Sequence, residues 1–298
     1  MQPIALGGLK IRKFVEGAGN IPVPAAMFQG VSPEALQGQI RALDPRAAGS
    51  DAGTLLMSMH SFVLQMDGRI ILIDTCNGND KHRSGPLAAM NMLKTDYLGQ
   101  LGKLGLKPED IDTVLCTHLH ADHVGWNTRL ENGKWVPTFP NAHYLMSRLD
   151  VEYCEGMSPD HPRYGLTNEA YQDSVVPVLR SGQAELVETG HLVEHGIGTR
   201  VWLEGAPGHT PGTMLIHAED GDGRAIFSGD VFHHPIQIQD PAIHIGVDSD
   251  MEAAFKERRR LADHCASSGA VLLAAHFPAP TAGRIVQDGR AYRFQYLD

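Results

Sequence analysis

Two short, mostly apolar runs, Phe62 to Met66 and Arg69 to Ile73, flank Asp67-Gly68. That pattern predicts two strands joined by a two-residue turn of type I′ composition. Leu87, Met90, Lys94, Tyr97, Leu101 and Leu104 recur at three- and four-residue spacing, which predicts a helix over 87–104 that ends at Gly105. A short apolar run, Thr113 to Cys116, and another, Ala142 to Met146, read as strands. Residues 150–178 are polar, rich in Tyr and Pro, and carry only helical fragments. The second half repeats the alternation, with strands expected at 185–187, 200–203, 213–217 and 225–228 and a turn at Asp220-Gly221-Asp222-Gly223. Ser249-Asp250-Met251-Glu252 fits a capping box opening a helix whose face carries Ala254, Phe255, Arg258, Leu261 and Cys265. Val271 to Ala275 reads as a buried strand, and 284–294 as a final hairpin around Asp288-Gly289. Before Thr54 the one clear signal is Ser32-Pro33-Glu34 leading into a helix to Ala42. The expectation is a single domain over 1–298, with residues 1–50 as an extension packed on the core. Two halves of strands followed by helix predict an α+β fold, two sheets face to face with helices outside.

Composition narrows the class. At 298 residues, 42% hydrophobic and 20% charged, the chain can bury a large core. A formal net charge of −10 disfavours nucleic acid and anionic lipid as partners. No apolar window approaches a membrane span, and the first residues lack the apolar stretch of a secretory signal. The four cysteines show no C-x-x-C spacing, so reduced thiols and a cytoplasmic location are expected.

The chemistry concentrates in Thr117-His118-Leu119-His120-Ala121-Asp122-His123-Val124-Gly125. A strand alternates its side chains between two faces, so it cannot aim three imidazoles and a carboxylate at one point. A loop leaving a strand end can. Nitrogen with carboxylate oxygen suits zinc, iron, manganese or nickel and not calcium. Three further candidates follow the same rule of a strand end or tight turn aiming one ligand: His209 in Gly208-His209-Thr210-Pro211-Gly212, Asp230 in Ser228-Gly229-Asp230, and His276 in Ala275-His276-Phe277-Pro278.

The set H-x-H-x-D-H, G-H-T-P-G, S-G-D and a last strand-end histidine resembles the metallo-β-lactamase-fold superfamily of hydrolases, over residues 55–280. The resemblance implies an αββα four-layer sandwich and two divalent ions, zinc first, with iron, manganese or cobalt as alternatives. By position, one ion would take His118, His120 and His209 and the other Asp122, His123 and His276, with Asp230 bridging. Asp74, at the end of the second hairpin strand, would brace a ligand loop. A bridging hydroxide would attack the substrate, with Asp122 orienting it and moving its proton.

Departures from the family's patterns direct the choice of branch. His120 stands where redox di-iron members carry glutamate, which favours hydrolysis. Asp230 counts against β-lactam hydrolysis as the main activity, and His233 stands where homoserine-lactone lactonases place tyrosine. The run 229–233 and the segment 274–278 look closer to the methyl parathion hydrolase branch. The expected substrate is therefore a small neutral ester, lactone or phosphotriester. Asp122 and His233 are the candidate catalytic groups, and Trp126, Phe232, His234 and Phe277 the candidate pocket residues. A phosphodiesterase or nuclease of the same fold would need basic residues near the ligands, where Lys and Arg are scarce. A non-catalytic binding protein would have lost ligands. A homodimer is expected on resemblance alone.

Overall fold

In the computed structural model, residues 2–22, 28–50, 54–196, 198–289 and 291–297 are described. Two seven-stranded sheets stack face to face. The first runs in the order Ile4–Leu6, Leu9–Pro22, Thr54–Met66, Arg69–Ile73, Thr113–Leu115, His143–Ser147, Ala184–Val187. The second runs Leu192–His195, Thr199–Gly205, Met214–Asp220, Gly223–Gly229, Val271–Ala274, Gly283–Asp288, Ala291–Tyr296.

Period-two alternation assigns each strand's residues to layers. Ile71, Ile73, Leu64 and Leu115 point between the sheets, where they meet Leu203, Ile216, Phe227 and Leu273. Leu72, Val63 and Val114 point outward to Tyr97, Leu101, Val151 and Val178 of the helical layer. Across the molecule, Leu215, Ile226 and Leu272 face Leu261, Ala262 and Cys265 of the helix Met251–Ser268. Helix, sheet, sheet and helix make the four layers. Among the described residues no helix is long and apolar enough to cross a membrane.

The hairpin over 54–73 forms as expected, with Asp67 and Gly68 both at positive φ as a type I′ turn requires. Three expectations needed correction. Residues 4–22 do not lie on the core as an extension: they are strands of the first sheet, in register from Lys10 opposite Gln65 to Pro22 opposite Thr54. Lys10, Lys13, Gly17 and Gly19 hide the alternation there, and Lys13 is nonetheless buried, donating to Thr281 Oγ1. The helix over 87–104 is broken into a 3₁₀ turn, Gly85–Met90, and a helix, Tyr97–Lys103. The intervening residues pair with 79–81 instead, through Met92 N to Lys81 O and Asp80 N to Leu93 O. The cap of Met251–Ser268 is Asp250, whose carboxylate accepts from the amides of Glu252 and Ala253, while Ser249 donates to Gly208 O. Arg290, expected at the start of the last strand, lies outside the described residues.

The topology gathers strand ends. Arg69–Ile73, Thr113–Leu115 and His143–Ser147 run parallel, as do Gly223–Gly229 and Val271–Ala274 in the other sheet. Asp74, the 117–123 loop, Asp230 and His276 all follow the carboxyl ends of these strands.

Candidate metal centre

The structure brings all seven expected ligands together. Ligand atoms of His118, His120 and His209 lie within 4.8 Å of one another, as do those of Asp122, His123 and His276, and of His118, His123 and Asp230. Asp230 sits between the two histidine sets. Its Oδ2 is 3.3 Å from His209 Nε2, 3.3 Å from His123 Nε2 and 3.8 Å from His118 Nε2, and its Oδ1 is 3.0 Å from His276 Nε2. His276 Nε2 is also 3.5 Å from Asp122 Oδ2.

Partners on the far side of four of the rings fix their tautomers. His123 Nδ1 is 2.8 Å from Asp74 Oδ2, and Asp74 also accepts from Thr117 N at 2.7 Å and Thr117 Oγ1 at 2.8 Å. Thr117 Oγ1, its own proton committed to Asp74, can only accept from His118 Nδ1 at 3.2 Å. His276 Nδ1 faces the carbonyl of Ser58 at 3.4 Å, and the amide of Ser58 donates to the carbonyl of His276. His209 Nδ1 meets Asp248 Oδ1 at 3.0 Å. In each of these four rings the proton is drawn to Nδ1 and the Nε2 lone pair turns inward, the arrangement a metal-binding histidine needs. His120 differs, presenting Nδ1 to the cluster, 2.8 Å from His209 Nε2.

Asp74 adopts φ +53°, a left-handed conformation that Asp tolerates, and its three accepted hydrogen bonds hold it there. Gly208 (φ +147°) lets the 208–212 turn lie against the backbone of Ala254, where a Cβ would come within 2.3 Å of its nitrogen.

The electrostatics fit a cation. Burial opposes ionisation of Asp230, but His276, His123 and His233 around it hold its carboxyl well below the usual range. Burial drives His120 down to about 3, aided by His209 beside it. His209, against the pull of burial, is raised to about 9 by hydrogen bonds to Asp230 and Asp248. His118 Nε2, His123 Nε2 and Asp230 Oδ1 are buried without a hydrogen-bond partner. Orphaned ligand atoms converging on one space are costly in a folded protein unless something else satisfies them. A divalent metal ion would do so, and the N/O donor set suits one.

Above the cluster opens a cavity of about 460 Å³. His120, Asp122, His209, Asp230, His233 and His276 form its floor, and Met57, Met59, Leu87, Met90, Leu166, Ile245 and Val247 its walls. None of the four candidate pocket residues lines it, whereas the candidate catalytic His233 does, with Nε2 3.1 Å from Asp230 Oδ2 and neither ring nitrogen in a well-formed hydrogen bond. Trp126 instead stacks on Tyr97 and donates to Glu16 at 2.7 Å. Phe232 is buried under Met251–Ser268, and Phe277 packs edge-on against Phe294. His234 Nε2 donates to Ala47 O at 3.1 Å, and its Nδ1 accepts from Ile236 N. Adjacency to a ligand was the wrong signal, because Trp126, Phe232, His234 and Phe277 lie in turns and loops, where successive side chains diverge. Met57 and Met59, two apart on one strand, carried the right one. Asp248 lies in no motif and was missed.

Comparison with known proteins agrees with this geometry. A model of the metallo-beta-lactamase superfamily matches residues 58–266. A probable metallo-hydrolase of Mycobacterium tuberculosis is 25% identical over 232 residues, 69% of this chain and 66% of that protein. The chain thus covers slightly less than two thirds of that relative's length. An N-acyl homoserine lactonase of Bacillus cereus is 25% identical over 160 residues, 53% of each chain. Among solved structures, AidC, a dizinc quorum-quenching lactonase, superposes with a TM-score of 0.81 at 17% identity, covering 100% of this chain and 98% of AidC. The hydrolase AbOPH superposes with a TM-score of 0.79 at 22% identity, covering 99% and 98%. At these identities the structural likeness is one of fold.

Proposed function

The chain belongs to the metallo-beta-lactamase superfamily, and from that premise we propose that it is a binuclear metal-dependent hydrolase of a neutral lactone, aryl ester or phosphotriester. The observation that carries the reading is Asp230, which lies between the two sets, its Oδ2 3.3 Å from both His209 Nε2 and His123 Nε2 and its Oδ1 3.0 Å from His276 Nε2. His118, His120 and His209 would hold one ion and Asp122, His123 and His276 the other. Two such ions would supply Lewis acidity toward an acyl or phosphoryl oxygen and lower the pKa of a bound water to about 7.

The chain's own groups do the rest. Asp122 lies on the cavity floor, and although burial opposes ionisation, His123 and His276 lower its pKa. It is therefore a proton acceptor, suited to take a proton from the attacking water and pass it to the leaving group. Burial lowers the pKa of His233, leaving a neutral imidazole over the cavity to contact a substrate oxygen. The walls present thioether, aliphatic and backbone surface, with no Lys or Arg among the described lining residues. Such a surface suits a neutral substrate carrying an alkyl or acyl group and gives a phosphodiester anion no counter-charge. Lactones rank first, on the curated lactonases of similar sequence.

The test is a rate panel on zinc-reconstituted protein: acyl lactones, aryl esters, a phosphotriester, a phosphodiester and a β-lactam. The proposal expects the highest kcat/KM within the neutral oxygen esters. A phosphodiester or β-lactam turned over fastest would refute it.

A further inference from the structure

Asp248 stands at a junction. It is 1% exposed and Arg258 0%, with Arg258 Nη1 3.2 Å from Asp248 Oδ2. Arg258 is itself fixed, donating from Nε to Pro241 O at 3.0 Å and from Nη2 to His244 Nδ1 at 2.9 Å. Beside this pair, Ser249 N donates to His209 O and Asp250 N to Gly208 O, so the 248–250 segment grips the histidine's turn by backbone as well. From the other side Arg163 donates to the carbonyls of Val247 and Asp248. Ile245, Gly246 and Val247 of the same segment wall the cavity.

An imidazole can place its proton on either nitrogen and rotate about its last bond. Only an acceptor held rigidly at Nδ1 guarantees that Nε2 faces a metal. A buried ion pair is a poor way to gain stability alone, since similar-sized apolar groups often do as well. Its retention here needs another reason, and Asp248 Oδ1, 3.0 Å from His209 Nδ1, supplies it.

We propose that Asp248, anchored by Arg258, is a positioning residue that locks His209 in its Nδ1–H tautomer and sets the affinity of the ion held by His118, His120 and His209. The inference rests on the two-ion reading above. It also ties that ion to the cavity wall, because one short segment serves both.

The test counts and titrates zinc by chelator competition in four proteins: wild type, His209→Ala, Asp248→Asn, and Asp248→Leu with Arg258→Met. The double change removes both charges together, leaving neither buried alone. It is expected to weaken one of two zinc ions by ~10–100-fold and spare the other. Asp248→Asn keeps an acceptor oxygen and should fall between it and wild type. In parallel, nitrogen-15 spectra of the zinc-loaded wild type should place the His209 ring proton on Nδ1, a readout that needs no variant to fold. A folded double variant with wild-type affinity for both ions, or a ring proton on Nε2, overturns the proposal. If His209→Ala itself keeps both ions at full affinity, it is the two-ion reading that fails.

Discussion

Gly125→Ala is expected to cripple the enzyme although Gly125 touches neither metal nor cavity. Its φ of −56° is open to any residue, so the reason for glycine is space. A Cβ there would lie 1.9 Å from the carbonyl carbon and oxygen of Asn77 and 2.5 Å from the nitrogen of Gly78, all backbone atoms that cannot rotate away. The 74–78 and 123–127 segments are laced together: Thr75 N donates to His123 O at 2.7 Å, Gly125 N to Cys76 O at 2.7 Å and Trp126 N to Thr75 O at 2.9 Å. They must part by about 1 Å before an alanine fits, and Asp74 and His123, bonded across the same seam, part with them. Overpacking of this kind costs ~1–3 kcal/mol in stability. A displacement of ~1 Å at a catalytic constellation can cost ~100-fold in rate. The assay is kcat/KM on the best substrate of the panel, read with a urea midpoint and a zinc count. The outcome expected is a large loss of kcat/KM in a protein that still folds. Wild-type kcat/KM with an unchanged midpoint would refute the reasoning, since it would mean the seam does not set the geometry of His123.

Asp74→Asn replaces an acceptor-only group with one that must also donate. If its oxygen keeps Thr117 N, its amide faces His123 Nδ1 and drives that ring's proton to Nε2; zinc affinity at the Asp122, His123 and His276 set should then fall ~10–100-fold, and unchanged affinity would contradict the tautomer assignment. Lys81 is buried against Thr128, Asp173 and the ring of Trp135, and burial, opposed by Asp173, lowers its pKa from 10.5 to about 7. The folded state therefore binds fewer protons than the unfolded between pH about 7 and 10.5, so metal-free wild type should gain stability relative to Lys81→Met as pH rises through that window, by up to roughly 5 kcal/mol. A difference in denaturation midpoint that stays flat from pH 7 to 10 would show that Lys81 is not desolvated in solution.

The parts legible in the sequence were those that local pattern encodes. The 62–73 hairpin announced itself through two short apolar runs around Asp-Gly, and the ligands through their clustering at strand ends. What stayed hidden depends on contacts between distant segments. The strand Leu9–Pro22 is masked by Lys13 and two glycines, because its partner across the sheet, not its own pattern, makes it a strand. The break after Met90 comes from residues 91–95 bonding back to 79–81, and it turns Leu87 and Met90 from helix core into cavity wall. Asp248 sits 39 residues beyond His209 with nothing in its neighbourhood to mark it, and only the fold shows what it holds. Trp126, Phe232, His234 and Phe277 failed as pocket residues for the complementary reason: sequence adjacency to a ligand says nothing about which way a side chain points.

The central claim, two ions shared through Asp230, is tested most directly by elemental analysis of protein reconstituted with zinc and freed of excess metal, alongside Asp230→Ala. The account predicts near two zinc per wild-type chain, activity that rises with occupancy, and weakened binding of both ions in the variant. Well under one zinc per chain, with no activity regained from zinc, manganese or cobalt, would contradict it.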